Sequence, residues 1–226
     1  MSEMISYKIA GEGEIKKKIF DRSYKISVTV AALWMLGSLV ANYFASTYAT
    51  NHVSNSVSDL ILNLLPVVNV TPIFVYGFVA FCVSVVILII SDPHKIPFAF
   101  KTIALFIAIR SIFVMLTHLA PYPEIKVDFA DFNFILRRLV FSGDLFFSAH
   151  AGLPFLMALL YWHKKYLRYI FLVCSGIFGA TVLLGHLHYS IDVFAAFFIT
   201  DGIFRLASFF FKKDLAYFNR NKKITA

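Results

Sequence analysis

The sequence predicts an all-α integral membrane protein with six transmembrane helices, and three observations carry that reading. Of 226 residues, 59% are hydrophobic and only 15% charged, which leaves too few polar side chains to cover a soluble domain of this size. The charged residues gather in clusters rather than spreading along the chain. Between the clusters lie apolar runs close to the roughly 20 residues that a helix needs to cross a bilayer. Residues 1–226 therefore read as a single six-span domain, with a cytoplasmic N-terminal segment over 1–25 and a cytoplasmic tail over 212–226.

Taken in order, the first 24 residues are polar, with Lys16, Lys17, Lys18 and Arg22, and 14–24 suit a short helix on the membrane surface. No cleavable signal peptide is visible, so the first span, 26–48, reads as a signal anchor. The polar stretch 49–59 holds no Lys or Arg. Residues 60–68, LILNLLPVV, are too short to cross and contain Pro66, which predicts a re-entrant or interfacial segment. The second span covers 70–91 and ends in the tight turn Ser91 to Lys95. The third covers 97–119 and carries Arg110. The longest loop, 121–145, opens with Pro121 and Pro123, continues through Glu124, Asp128 and Asp131 to Arg137 and Arg138, and suits an interfacial helix over 131–141. The fourth span is 146–162, followed by the basic turn His163 to Arg168. The fifth is 169–186 and the sixth 189–211.

Six spans put both termini on one side. Lys and Arg concentrate on that side, whereas the opposite loops hold only Lys126, Arg137 and Arg138. The positive-inside rule then makes the termini cytoplasmic and turns the loops 49–69, 120–145 and 186–189 outward. The net charge of +8 does not indicate nucleic acid, because the basic residues sit at the ends of apolar runs and form no stripe with interleaved aromatics. They fit topology signals and contacts with anionic lipids. Cys82 and Cys174 each lie inside an apolar run and show neither metal-ligand spacing nor a disulfide framework.

Five of the seven histidines fall on the outer side: His52, His118, His150, His186 and His188. His150 opens the fourth span and His188 the sixth, and the hairpin between them brings both to one membrane depth. His188 and Asp192 are four apart and share a helix face. A carboxylate on one imidazole nitrogen fixes the tautomer and makes the other nitrogen a better base or nucleophile. Asp192 sits just inside an apolar span, where a carboxylate needs a partner or water. These groups suit phosphoryl transfer through a phosphohistidine, with no metal or other cofactor. His188 would attack phosphorus, Asp192 would orient it, and His150 would serve as acid and then base. The rival use of His150, His186, His188 and Asp192 is a zinc site.

Arg110 lies nine residues below the outer end of its span, roughly 13 Å at the helical rise. At that depth it needs a wet cavity or a partner. Thr117 and His118 follow at +7 and +8, so the three make a polar stripe suited to a lipid head group arriving from the side. An ion pair with Asp201 is the structural alternative.

Three segments carry a family resemblance. FSGDLFFSAH at 141–150 and GHLHYSIDVFAAFFIT at 185–200 resemble the paired signatures of the sphingomyelin synthase family, within the lipid phosphatase/phosphotransferase superfamily. RSIFVMLTHLAPYP at 110–123 resembles that family's Arg-led span with its Thr-x-Leu-x-Pro-x-Pro pattern. The resemblance covers 100–205. It implies a six-span enzyme that moves a phospho-head-group from a phospholipid to a lipid alcohol, with His150, His188 and Asp192 as the catalytic triad. It further implies Asp144 as part of the polar chamber, Tyr189 as the aromatic after the nucleophile, and Arg110 as the family's arginine. The related phosphatases carry an upstream Lys-to-Arg-Pro segment and an Arg six residues before the second His. Here the first is missing and the second position is Val182, which favours a phosphodiester over a phosphomonoester. Ala149 stands in place of the usual Gly, and Gly202 where the synthases usually have Arg.

The expectation is therefore a head-group transferase using phosphatidylcholine or phosphatidylethanolamine as donor. Its acceptor is ceramide, a diacylglycerol-like lipid alcohol, or water, and with water the activity is that of a phospholipase C. The substrate-binding candidates are Asp144, Arg110, Tyr189, His118, Arg137 and Arg138. A lipid phosphate phosphatase and a membrane transport or lipid-binding protein are the alternatives, the latter disfavoured by the lack of broken-helix pairs or inverted repeats.

Overall fold

The computed structural model describes residues 22–123 and 144–219. Among them there are seven α-helices and no strand. We label these α1 (Arg22–Asn51), α2 (Phe78–Ile90), α3 (Ile96–Leu116), α4 (Ala149–Leu160), α5 (Lys165–Leu184), α6 (Ser190–Phe210) and α7 (Lys212–Phe218). Five segments are long and apolar enough to cross a membrane: Arg22–Asn51, Pro72–Ile90, Pro93–Leu116, Lys165–Leu184 and Ser190–Phe210. Their outward residues are apolar too, among them Leu36, Phe44, Ile87, Val173 and Phe198. A surface of that kind belongs in lipid, not water.

The fourth predicted span is much shorter than 146–162. Its helix runs only from Ala149 to Leu160, 12 residues, about 18 Å at the helical rise. Residues 144–148 leave the helix because their carbonyls serve another group: Asp144 O and Phe147 O accept hydrogen bonds from Arg110. Among the described residues there are thus five segments long enough to span and one shorter apolar helix, α4.

α1 packs along α3, and α4 lies between α5 and α6, with α3 touching α6. Phe98, Phe106, Phe147, Leu156, Met157 and Val182 fill the centre. Gly152 lets α4 approach α3 and α6, since a Cβ there would lie 3.0 Å from both the Phe106 ring and Thr200 Oγ.

Three further departures concern local structure. Residues 60–68, expected as a re-entrant or interfacial segment, contain no α-helix; they make one 3-10 turn, Leu62–Leu64, and Val68 N donates to Leu184 O at the end of α5. Asp59 fixes the turn, its Oδ1 accepting from the Ile61 and Leu62 amides. The segment before α2 is a π turn, Pro72–Gly77, a form often found at functional sites. The tail begins as α7, which Lys101 of α3 holds through a 2.6 Å ion pair with Asp214. The predicted surface helix 14–24 lies outside the described residues except for 22–24, which belong to α1, and the predicted helix 131–141 lies wholly outside them.

Gly185 follows α5 and precedes His186, whose φ of 53° is left-handed. A Cβ at 185 would fall 2.4 Å from Val70 Cγ2 and 3.1 Å from Leu187 Cδ1. Gly185→Ala therefore forces the 68–70 strap away from α5, at a cost of about 1–3 kcal/mol. Thermal unfolding of the purified variant in detergent checks this; an unchanged midpoint would refute the contact.

Candidate active site

His150 and His188 meet at the heads of α4 and α6. Their ring centroids are 6.5 Å apart, with planes tilted by 57°. The two rings face each other without stacking. Asp192, fully buried, places Oδ2 3.5 Å from His188 Nδ1, long for a hydrogen bond but within reach of one on a small adjustment. The same Oδ2 accepts the Tyr189 amide at 3.0 Å, so the carboxylate is held by the turn that presents His188.

His150 is gripped by the π turn. Its ring stacks on Phe74 at 4.3 Å and lies 4.0 Å from the Phe78 ring, and Nε2 is 3.2 Å from Phe74 O. A carbonyl only accepts, so Nε2 carries the proton and the lone pair of the neutral ring is on Nδ1.

Arg110 is buried and fully engaged. Nε donates to Phe147 O at 2.8 Å, while the two terminal nitrogens donate to Asp144 Oδ1 at 2.7 Å and Asp144 O at 3.2 Å. It holds the 144–148 segment against α3. Ser148 N in turn donates to Asp192 O at 3.1 Å, so the segment is tied to both α3 and α6. The alternative partner, Asp201, is instead bound to Arg205 on its own helix at 2.6 Å.

The two helix N-termini at the site differ. That of α6 is supplied with carboxylates: Asp192 accepts the Tyr189 amide and Asp59 Oδ2 accepts the Ser190 amide at 2.6 Å. That of α4 has no side-chain cap, and Ser148, fully buried, has a hydroxyl with no partner among the described residues. The first amides of a helix have no intrahelical acceptor, and they favour an anion.

The remaining candidates fall elsewhere. Tyr189 is buried, and its hydroxyl donates to Ala120 O at 2.8 Å and accepts the Val57 amide at 3.2 Å, which commits it to bracing two loops. His118 is grouped with Tyr48 and His52, at ring distances of 5.4 and 6.3 Å, not with His150 and His188. The predicted stripe stops at Arg110 because α3 ends at Leu116 and Thr117 is extended. Past it, His118 O accepts the Ser54 amide at 2.6 Å, drawing the chain toward the end of α1. Arg137 and Arg138 lie outside the described residues. His186 is buried, edge-on to Tyr122 at 5.1 Å, and no group of three or more His, Cys, Asp or Glu among the described residues is arranged to hold a metal ion.

Sequence reasoning missed Asp59, Phe74, Phe78 and the orphaned Ser148 hydroxyl. Only Ser148 carried a local signal, as the polar residue just ahead of an apolar helix.

The described residues thus form a helical bundle with five segments apolar enough to span a membrane, in which two histidines and a buried aspartate gather at the helix heads. Residues 142–209, which carry all three side chains, match the family model described as PAP2 superfamily C-terminal. The match supports the lipid phosphatase/phosphotransferase superfamily, without singling out the synthase branch. No curated protein and no solved structure matches the chain.

Burial raises the Asp59 carboxyl, but hydrogen bonds from Ser190, Leu62 and Ile61 outweigh it and hold the group below its ordinary value. A depressed carboxylate stabilises the fold above its unfolded pKa of about 4, and that contribution disappears as pH falls through the lower folded value. Wild type should therefore lose stability on acidification more steeply than Asp59→Asn, which itself should be destabilised by about 1–3 kcal/mol at neutral pH. Melting curves of both proteins across the acid range check this, and parallel pH profiles would contradict it.

Proposed function

We propose that this protein transfers a phospho-head-group from a glycerophospholipid through a phosphohistidine, to a lipid alcohol such as ceramide or to water. The observation that supports it best is the facing pair His150 and His188, with Asp192 behind His188. In this reading Asp192 keeps the His188 Nδ1 proton. His188 Nε2 attacks phosphorus, and the bond from phosphorus to the diacylglycerol oxygen breaks. Protonated His150 gives its Nδ1 proton to that oxygen, while its Nε2–H goes on donating to the Phe74 carbonyl. The incoming hydroxyl then attacks phosphorus, the phosphorus–nitrogen bond breaks, and His150 takes back a proton. The uncapped head of α4, with Ser148, is suited to the charge that builds on the phosphoryl oxygens.

A lipid phosphate phosphatase is the second reading, favoured by the family match over 142–209. Against it, a phosphomonoester dianion calls for more positive charge than the described residues of this site present. Val182 occupies the place of a clamping arginine, and the Arg110 charge is already paired with Asp144.

The test uses purified protein in liposomes with labelled phosphatidylcholine and phosphatidylethanolamine, with and without ceramide, read by lipid mass spectrometry. Head-group transfer to ceramide or release of diacylglycerol is expected. Phosphate release from phosphatidic acid alone would establish the phosphatase instead.

His188→Ala should abolish turnover and any acid-labile phosphoryl label on the protein. His150→Ala and Asp192→Asn should slow turnover by roughly 10²–10⁴-fold. Substantial activity in either histidine variant would sink the two-histidine mechanism.

A further inference from the structure

The far end of the bundle holds a second charged site. α6 has 21 residues and spans about 30 Å at the helical rise, the thickness of a bilayer core. His188 precedes its first residue. At its last residues a cavity of about 660 Å³ opens, lined by Ser23 and Ser27 of α1, Lys101 of α3, and Lys212, Lys213 and Tyr217 of α7.

Three lysines line this space, and Asp214 is the one carboxylate in the lining. That carboxylate is already committed. Lys101 Nζ lies 2.6 Å from Asp214 Oδ2 and donates to Ser27 Oγ at 2.8 Å, and Ser27 Oγ donates to Asp214 Oδ1. Lys101 and Asp214 are both buried, so the pair neutralises itself. Lys212 and Lys213 are exposed, and among the described residues neither meets a carboxylate; Lys212 Nζ instead sits 4.7 Å above the Phe209 ring. Among the described residues, the cavity therefore carries positive charge that no carboxylate balances, with hydroxyl groups beside it. A basic pocket between membrane helices fits the head group of an acidic lipid. Phe209 and Phe210, also in the lining, are 63% and 65% exposed. They offer acyl chains an apolar path that a free anion would not use.

We propose that this cavity binds the phosphate of an acidic phospholipid, in the leaflet opposite the histidine pair. The site is separate from the proposed turnover, and its ligand is bound without being consumed.

The test takes the purified full chain in an uncharged detergent and adds phosphatidylglycerol, phosphatidylcholine or inorganic phosphate at matched concentrations. Retained lipid is counted by native mass spectrometry, and stability is followed by thermal unfolding. Phosphatidylglycerol should be retained and stabilising, phosphatidylcholine much less so. Lys212→Gln/Lys213→Gln should weaken phosphatidylglycerol retention roughly tenfold or more, at about 1 kcal/mol per lysine near an anionic head group. Lys212→Arg/Lys213→Arg should keep it, which separates charge from folding. Equal retention of both lipids, or no loss in the glutamine variant, would overturn the proposal. So would equal stabilisation by inorganic phosphate, which would mean a free-anion site. His188→Ala should retain the same lipid selectivity; selectivity lost there would locate the lipid at the histidines and refute a second site. Head-group turnover should be unchanged in the glutamine variant, so failure of one reading is distinguishable from failure of the other.

Discussion

A guanidinium buried among phenylalanines must find acceptors within its own reach, and the arrangement of this protein's upper half follows from how Arg110 finds them. It takes two backbone carbonyls and one carboxylate from the segment that precedes α4. Residues whose carbonyls serve Arg110 cannot also build a helix, so α4 begins at Ala149 and its head is left open. The same segment reaches α6 through the Ser148 amide and the Asp192 carbonyl. One cation thereby sets the spacing between the heads of α3, α4 and α6. A buried pair of this kind is poor as a source of net stability, but leaving either partner alone would cost several kcal/mol, about 3–5 by general experience. Its role is to specify geometry.

The long helices were legible because lipid imposes a simple demand: about 20 apolar residues in a row with every backbone group paired internally. Predicted and observed boundaries agree to within a few residues for five spans. The fourth was overdrawn because hydropathy does not show which carbonyls a distant arginine will claim. The pairing of His150 with His188 was legible from the hairpin of α4 and α5, which returns the chain to one level. The grip on His150 was not, since Phe74 and Phe78 look like lipid-facing residues in sequence and come from a segment more than 70 positions away.

The errors share a cause. His118 was placed on the Arg110 face by extending helical periodicity two residues past the real end of α3. Asp59 sat unnoticed in a polar stretch, because its three amide partners are set by a turn and by Ser190, 131 residues later. Local pattern reads the faces of regular helices well; it does not read where a helix stops or what a loop carboxylate will cap. Both depend on contacts that close over long sequence distances.

The shortness of α4 decides how its two ends are held. Its lower end meets the basic turn, where the Arg168 guanidinium stacks 5.0 Å from the half-exposed Trp162 ring, a pairing typical of a helix anchored at the membrane boundary. A helix of about 18 Å is about 12 Å shorter than a bilayer core, yet the ring of His150, near its head, lies 6.5 Å from that of His188, just ahead of the 21-residue α6. The irregular segment 144–148 precedes that head in place of further helical turns, and its backbone groups are paired by Arg110 and by the Asp192 carbonyl rather than by a neighbouring turn of helix.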